Sequence, residues 1–292
     1  MIFKGSGTAI ITPFDDDGVN FRTFERLLDY QLENGTDALV VLGTTGEPAT
    51  MTEKEKNEVL EFAVNHVNGR IPIIAGIGTN STASSINNAK QAANLGVDAL
   101  LAVTPYYNKC TQNGLIKHFL AIADSTDKPV ILYNVPSRTG VNILPETCAA
   151  LSEHPNIVAI KEACGNIDQI STTAALVQGK MDIYSGDDGI IVPILALGGI
   201  GVISVASNAV PELVSKICKS FFDGDIQLAR QLQFKLNPLV KALFSEVNPI
   251  PIKAAMNLLG FDCGIPRLPL TEMENKTVLI NELKKLIPNL NI

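Results

Sequence analysis

The chain has little charge for its size, and what it has is not basic. Of 292 residues only 18% are charged, and 23 basic against 30 acidic residues give a formal charge of −7. Without a basic stripe, nucleic acid is excluded as the natural partner. Cysteine is scarce as well: Cys110, Cys148, Cys164, Cys218 and Cys263 are scattered, odd in number and free of any C-x-x-C pair. That excludes a disulfide framework and a cysteine metal site, and it fits a reduced, cytoplasmic compartment. His66, His118 and His154 lie far apart with no H-x-x-x-H or H-x-E pattern, so neither a metal nor another cofactor is expected. The opening residues lack a basic segment followed by a long apolar one, and no signal peptide is expected. The longest apolar tract, 190–206, is interrupted by Pro193, Gly198, Gly199 and Gly201. Those breaks divide it into a helix, a turn and a strand, not a membrane span.

What is present is core material, with 46% hydrophobic residues. Short runs rich in Val and Ile recur at 8–12, 38–42, 73–76, 99–103, 130–133, 157–161, 183–185 and 202–205. Segments with helical spacing separate them, such as Phe21, Phe24, Leu27 and Leu28. Thr52-Glu53-Lys54-Glu55 has the form of a capping box, and Pro211-Glu212 reads as a first helical turn. Gly35-Thr36-Asp37-Ala38-Leu39 is echoed by Gly96-Val97-Asp98-Ala99-Leu100, each a helix-ending glycine, an Asp turn and a strand. Eight near-continuous apolar strands alternating with amphipathic helices predict a parallel (β/α)8 TIM barrel. The rival, an open doubly wound sheet, lacks its G-x-G-x-x-G after the first strand; Gly76-Ile77-Gly78 is a lone G-x-G. The acidic turn Asp15-Asp16-Asp17-Gly18 lacks the other ligands of a calcium loop and reads as solvated. Residues 1–224 are expected to form the barrel. Residues 225–292 are expected to be a helical appendage, with Leu228, Leu232, Leu236 and Leu239 on one stripe.

In a barrel the chemistry sits at the carboxyl ends of the strands. The run Ile157-Val158-Ala159-Ile160-Lys161-Glu162 ends on a lysine. On pattern alone, Lys161 reads equally as a strand-end salt-bridge partner and as a desolvated amine able to form a Schiff base. The second strand ends in Gly43-Thr44-Thr45-Gly46-Glu47, which suits a carboxylate-binding loop as well as a plain hydroxyl-lined turn. The fourth ends in Thr104-Pro105-Tyr106-Tyr107-Asn108, and the fifth in Tyr133-Asn134-Val135-Pro136-Ser137-Arg138-Thr139-Gly140. Loop tyrosines are often packing residues; two converging on a lysine would form a proton relay. Arg138 is either a surface salt-bridge partner or a planar fork for a carboxylate. At Ser185-Gly186-Asp187-Asp188 and near Ile203, backbone groups are the expected ligand contacts.

Taken together, Gly43-Thr44-Thr45-Gly46-Glu47, Tyr133 to Gly140 and Ile160-Lys161-Glu162 resemble the dihydrodipicolinate synthase family over essentially the whole chain. The resemblance implies that Lys161 forms an imine with pyruvate, whose enamine attacks L-aspartate 4-semialdehyde. It implies a relay of Tyr133, Thr44 and Tyr107, with Thr45 and the Thr44 backbone on the pyruvate carboxylate. It further implies Arg138 on the semialdehyde carboxylate and the backbones of Gly186 and Ile203 lining the pyruvate pocket. Tyr107 would enter a neighbouring subunit's site in a homotetramer, a dimer of dimers. Ala49, Asn80 and Tyr106 match the family's lysine-inhibition site, whereas Glu53, Lys56 and Ser84 depart from it, so weak or absent inhibition is expected. A related pyruvate-dependent aldolase such as N-acetylneuraminate lyase shares the lysine and tyrosine but typically has serine-threonine at Thr44-Thr45 and lacks the arginine. A non-catalytic carboxylate-binding barrel is the remaining alternative.

Overall fold

Asp37 and Asp98, the turn residues of the internal echo, do the same work in two alternate units. The Asp37 carboxylate accepts the N–H of Ser6 at 2.8 Å, and that of Asp98 accepts the N–H of Ile73, also at 2.8 Å. Each fixes the register of one strand against the next, after a glycine in left-handed backbone (Gly35 φ 78°, Gly96 φ 88°) has ended the helix.

The computed structural model describes residues 1–288 and 290. Its barrel strands are β1 (Gly5–Ala9), β2 (Ala38–Val41), β3 (Ile73–Gly76), β4 (Ala99–Val103), β5 (Val130–Asn134), β6 (Ile157–Glu162), β7 (Asp182–Ser185) and β8 (Gly201–Ser204), besides a short antiparallel ribbon of Phe14–Asp15 and Gly18–Val19. All eight pair in parallel and close into a barrel, β1 lying between β8 and β2. Helices lie between successive strands, as expected for a TIM barrel; among them α1 (Phe21–Glu33), α2 (Glu53–Val67), α3 (Thr82–Asn94) and α4 (Gln112–Ala123). The capping box of α2 forms as anticipated, Thr52 and Glu55 exchanging side-chain to backbone bonds. Further on come α5 (Pro136–Thr139), α6 (Pro145–Leu151), α7 (Ile167–Val177), α8 (Ile191–Ala196) and α9 (Pro211–Phe222). The tract 190–206 divides into α8, a turn and β8. Among the described residues, no helix is long and apolar enough to cross a membrane.

One strand departs from expectation. The first runs over Gly5–Ala9, three residues ahead of the apolar run at 8–12. The reason is packing inside the barrel: the Phe3 ring fills the amino-terminal end, and a Cβ on Gly7 would lie 2.7 Å from it. Small residues are required there, and they carry no strand signal. Phe3 also stacks on Tyr184 at 4.3 Å between centroids, and the Tyr184 hydroxyl donates to the Phe3 carbonyl at 2.8 Å.

After Asp225 the chain forms α10 (Ile226–Leu243), α11 (Ile250–Leu258) and α12 (Thr277–Leu286). On α10, Leu236 and Leu239 are buried while Leu228 and Leu232 are half-buried. Residues 289, 291 and 292, the end of the expected helical region, lie outside the described residues. This region reaches over the carboxyl ends of the strands, where Val247, Asn248, Pro249, Pro269 and Leu270 form one wall of a cleft.

Candidate active site

β5 and β6 are adjacent and in register, Tyr133 opposite Lys161, with Tyr184 of β7 next in the row. Side chains at these positions point into the barrel, so the row delivers an amine between two tyrosines. Lys161 is 5% exposed, and its Nζ lies 4.3 Å from the centre of the Tyr133 ring. Burial pulls the amine down to about 8, opposed by the Asp188 carboxylate and assisted by the Arg138 charge. An appreciable share of it is therefore neutral near physiological pH.

Tyr133 is buried too, and burial raises its phenol above the ordinary value, offset by Arg138 and by hydrogen bonding to Thr44. It remains protonated and able to donate. Thr44 opens a tight turn, Thr44–Gly46, whose two backbone bonds run from the Gly46 N–H to Gly43 and from the Glu47 N–H to Thr44. Neither uses the N–H of Thr44 or Thr45. The Thr45 hydroxyl accepts a bond from Asn248 Nδ2 at 3.0 Å, which leaves its own proton to donate. Arg138, on α5 at the mouth, donates to the Asn248 carbonyl at 3.0 Å. Thr44, Tyr133 and Arg138 line a cleft of about 400 Å³. Its lining does not include Lys161, which lies behind Tyr133.

Gly186 packs against Lys161 itself. A Cβ there would sit 3.0 Å from Lys161 Cγ and 2.9 Å from Ala163 Cβ, so only a glycine leaves the lysine its place. Ile203 is fully buried, with its side chain in the interior cluster around Tyr133 and Tyr184. Tyr107 does not join the group: it is 91% exposed, in left-handed backbone (φ 71°). Tyr106, Ala49 and Lys56 line the outer part of the cleft, Lys56 paired with Glu53 at 2.8 Å. Asn80 does not line it; its carbonyl accepts from Asn108 Nδ2. Ser84 is exposed on α3.

Two residues at the site carry no signal that the sequence reading used. Asn248, from the helical region, orients Thr45 and Arg138 together; its distance along the chain hides it. At Asp188 the sequence points only to backbone contacts. Its buried carboxylate accepts from the N–H of Val205 at 3.0 Å and Ala206 at 2.9 Å, while the other oxygen has no partner among the described residues. Two consecutive acids at the end of a buried strand were the available clue. The cysteines are all free, and burial pushes the thiols of Cys164, Cys218 and Cys263 up to about 12, which leaves them unreactive at neutral pH.

Comparison with known proteins agrees along the whole chain. The family model described as the dihydrodipicolinate synthetase family matches residues 2–289. The 4-hydroxy-tetrahydrodipicolinate synthase of Caldicellulosiruptor bescii is 56% identical over 276 residues, 94% of this chain and 93% of that protein. The crystal structure of dihydrodipicolinate synthase from Thermotoga maritima superposes with a TM-score of 0.96 at 47% identity, covering 98% and 99% of the two chains. The chloride-inhibited dihydrodipicolinate synthase from Acinetobacter baumannii, solved in complex with pyruvate, gives 0.95 at 43% identity over 97% and 98%. With a buried amine beside a tyrosine in a closed eight-stranded barrel, this chain belongs to the dihydrodipicolinate synthetase family.

Proposed function

We propose that the chain condenses pyruvate with L-aspartate 4-semialdehyde, the 4-hydroxy-tetrahydrodipicolinate synthase reaction of the diaminopimelate route to lysine. The observation that carries this reading is Lys161, a buried amine lowered to about 8 and facing Tyr133. Its Nζ adds to C2 of pyruvate, and the carbinolamine loses water to give the imine. A proton leaves C3 to form the enamine, whose carbon bonds to the aldehyde of the second substrate, the new alkoxide taking up a proton. The amino group of that substrate then attacks C2, closes the ring and expels Lys161 as the free amine. The net reaction releases one water, in keeping with a carbon–oxygen lyase.

Tyr133 and Thr44 pass these protons, a role supported by the hydrogen bonding between them. Thr45 and the spare N–H groups of its turn suit the pyruvate carboxylate, and the Arg138 fork suits that of the semialdehyde. Gly186 and Ile203 complete the pyruvate pocket. Tyr107, exposed on a single chain, serves the site of a neighbouring subunit in a homotetramer built as a dimer of dimers. On this reading residues 1–224 carry the chemistry, residues 225–292 wall the cleft, and the enzyme works in the cytoplasm. Lys56 sets a like charge beside any lysine entering between Ala49, Asn80 and Tyr106, so lysine inhibits weakly or not at all; half-inhibition by sub-millimolar lysine would contradict this.

Borohydride reduction with pyruvate tests the nucleophile, because the imine becomes a stable adduct on Lys161 that mass spectrometry locates. The same adduct on Lys161→Ala would show that another group is the nucleophile. A coupled assay then compares the semialdehyde with sialic acid; preferential cleavage of sialic acid would replace this reading with that of a sugar-acid aldolase.

A further inference from the structure

The loop that presents Thr44 and Thr45 is bracketed by two non-glycine residues in left-handed backbone, Leu42 (φ 58°) and Glu47 (φ 57°). Such residues persist only where the surroundings over-determine them. At Leu42 the constraint is close packing, since a Cβ on Gly76 would lie 2.1 Å from the Leu42 carbonyl oxygen. At Glu47 the constraint is electrostatic. Its Oε1 accepts from Lys253 Nζ at 2.7 Å and its Oε2 from the Arg267 N–H at 2.9 Å. Both side chains are out of water, 2% exposed for Glu47 and 0% for Lys253. Lys253 Nζ also donates to the Ile265 carbonyl at 3.3 Å and lies 4.1 Å from the centre of the Phe14 ring.

We propose that Glu47 and Lys253 are a positioning pair for the substrate-carboxylate loop. The pair holds the carboxyl end of the Thr44–Gly46 turn from beneath, and the loop's geometry, hence the affinity for pyruvate, depends on it. Lys253 has a second effect: it neutralises a carboxylate buried next to the place where a substrate carboxylate must bind. Glu47 reaches the wall of the cleft, but the pair acts through Thr44 and Thr45, so the inference rests on the pyruvate-binding role given to that loop above.

The test uses full-length Glu47→Gln, Lys253→Met, Lys253→Arg and the double variant Glu47→Gln/Lys253→Met. The double variant contains no lone buried charge and is decisive if Lys253→Met fails to fold. KM for pyruvate is expected to rise about tenfold or more in the double variant, since misplacement by a fraction of an ångström is costly to a bound geometry. KM for the semialdehyde is expected to stay within about twofold, and borohydride trapping at saturating pyruvate to reach completion. Lys253→Arg, which keeps the charge, is expected to recover most of the pyruvate affinity. A double variant with an unchanged KM for pyruvate, or with both KM values raised by the same factor, overturns the proposal. A parent enzyme that traps no pyruvate sinks the functional reading and this inference with it; a trapping parent with an indifferent double variant sinks this inference alone.

Discussion

Lys161 and Lys253 are both buried, one at the end of β6 inside the barrel, the other on α11 beneath the β2 loop, and burial lowers the amine of each. Their surroundings differ in one respect. Lys253 has a carboxylate at 2.7 Å, a backbone carbonyl at 3.3 Å and an aromatic face, so its charge is matched where it lies. Among the described residues Lys161 has the Tyr133 face and no hydrogen-bonded or ion-pair partner, and the acid that favours its ammonium form, Asp188, turns one oxygen onto the backbone of Val205 and Ala206. A paired buried lysine is a fixed strut; an unpaired one is a reserve of free amine. Burial by itself does not make a nucleophile.

The comparison breaks most visibly at turnover. Lys161→Ala is expected to lower kcat by about 10³ or more, the scale of losing a group that bonds to substrate, and to abolish the borohydride adduct, as steady-state rates and intact mass would record. Next comes stability. Lys253→Met strands the Glu47 carboxylate and is expected to cost about 3–5 kcal/mol in urea unfolding; a loss below about 1 kcal/mol would mean that the strut bears no strain.

Lys161→Met is expected to move stability the other way. Its amine titrates at about 8 folded and near 10.5 unfolded, so the folded state binds fewer protons between those values. The penalty is fully present below pH 8 and fades as pH rises towards 10.5. The gap corresponds to roughly 3 kcal/mol, so the substitution stabilises most at pH 7 and hardly at pH 10.5, as unfolding at several pH values would show. The smallest expected effect is that of Gly186→Ala, whose methyl presses on Lys161 Cγ. It is expected to lower kcat/KM for pyruvate about tenfold while leaving the fold intact, an outcome checked by initial rates and circular dichroism.

Lys161 was legible because the strand that carries it is a run of buried apolar residues, and a charge at its end stands out. Lys253 was not, because Ile252-Lys253-Ala254-Ala255 reads as an ordinary helix lysine and its partner lies 206 residues away. The same holds for Asn248, which meets Thr45 only after the barrel has closed. Eight strands and their helices followed from periodicity, yet β1 lay earlier than its apolar run because Phe3 demands small residues beside it. Motif resemblance supplied what periodicity could not: it brought Tyr133 together with Thr44.

The Phe3 ring stacked on Tyr184 stoppers the amino-terminal end of the barrel. A molecule bound for Lys161 must therefore enter past Arg138 and Tyr133, and the water and product must leave by the same mouth. A vessel with one door imposes a queue. On the proposed function, the reactant that bonds to the deep amine arrives before its partner occupies the entrance, and the product clears before the next arrives. On that proposal, a contact at the far end of the barrel from the chemistry helps to set the order of events in each catalytic cycle.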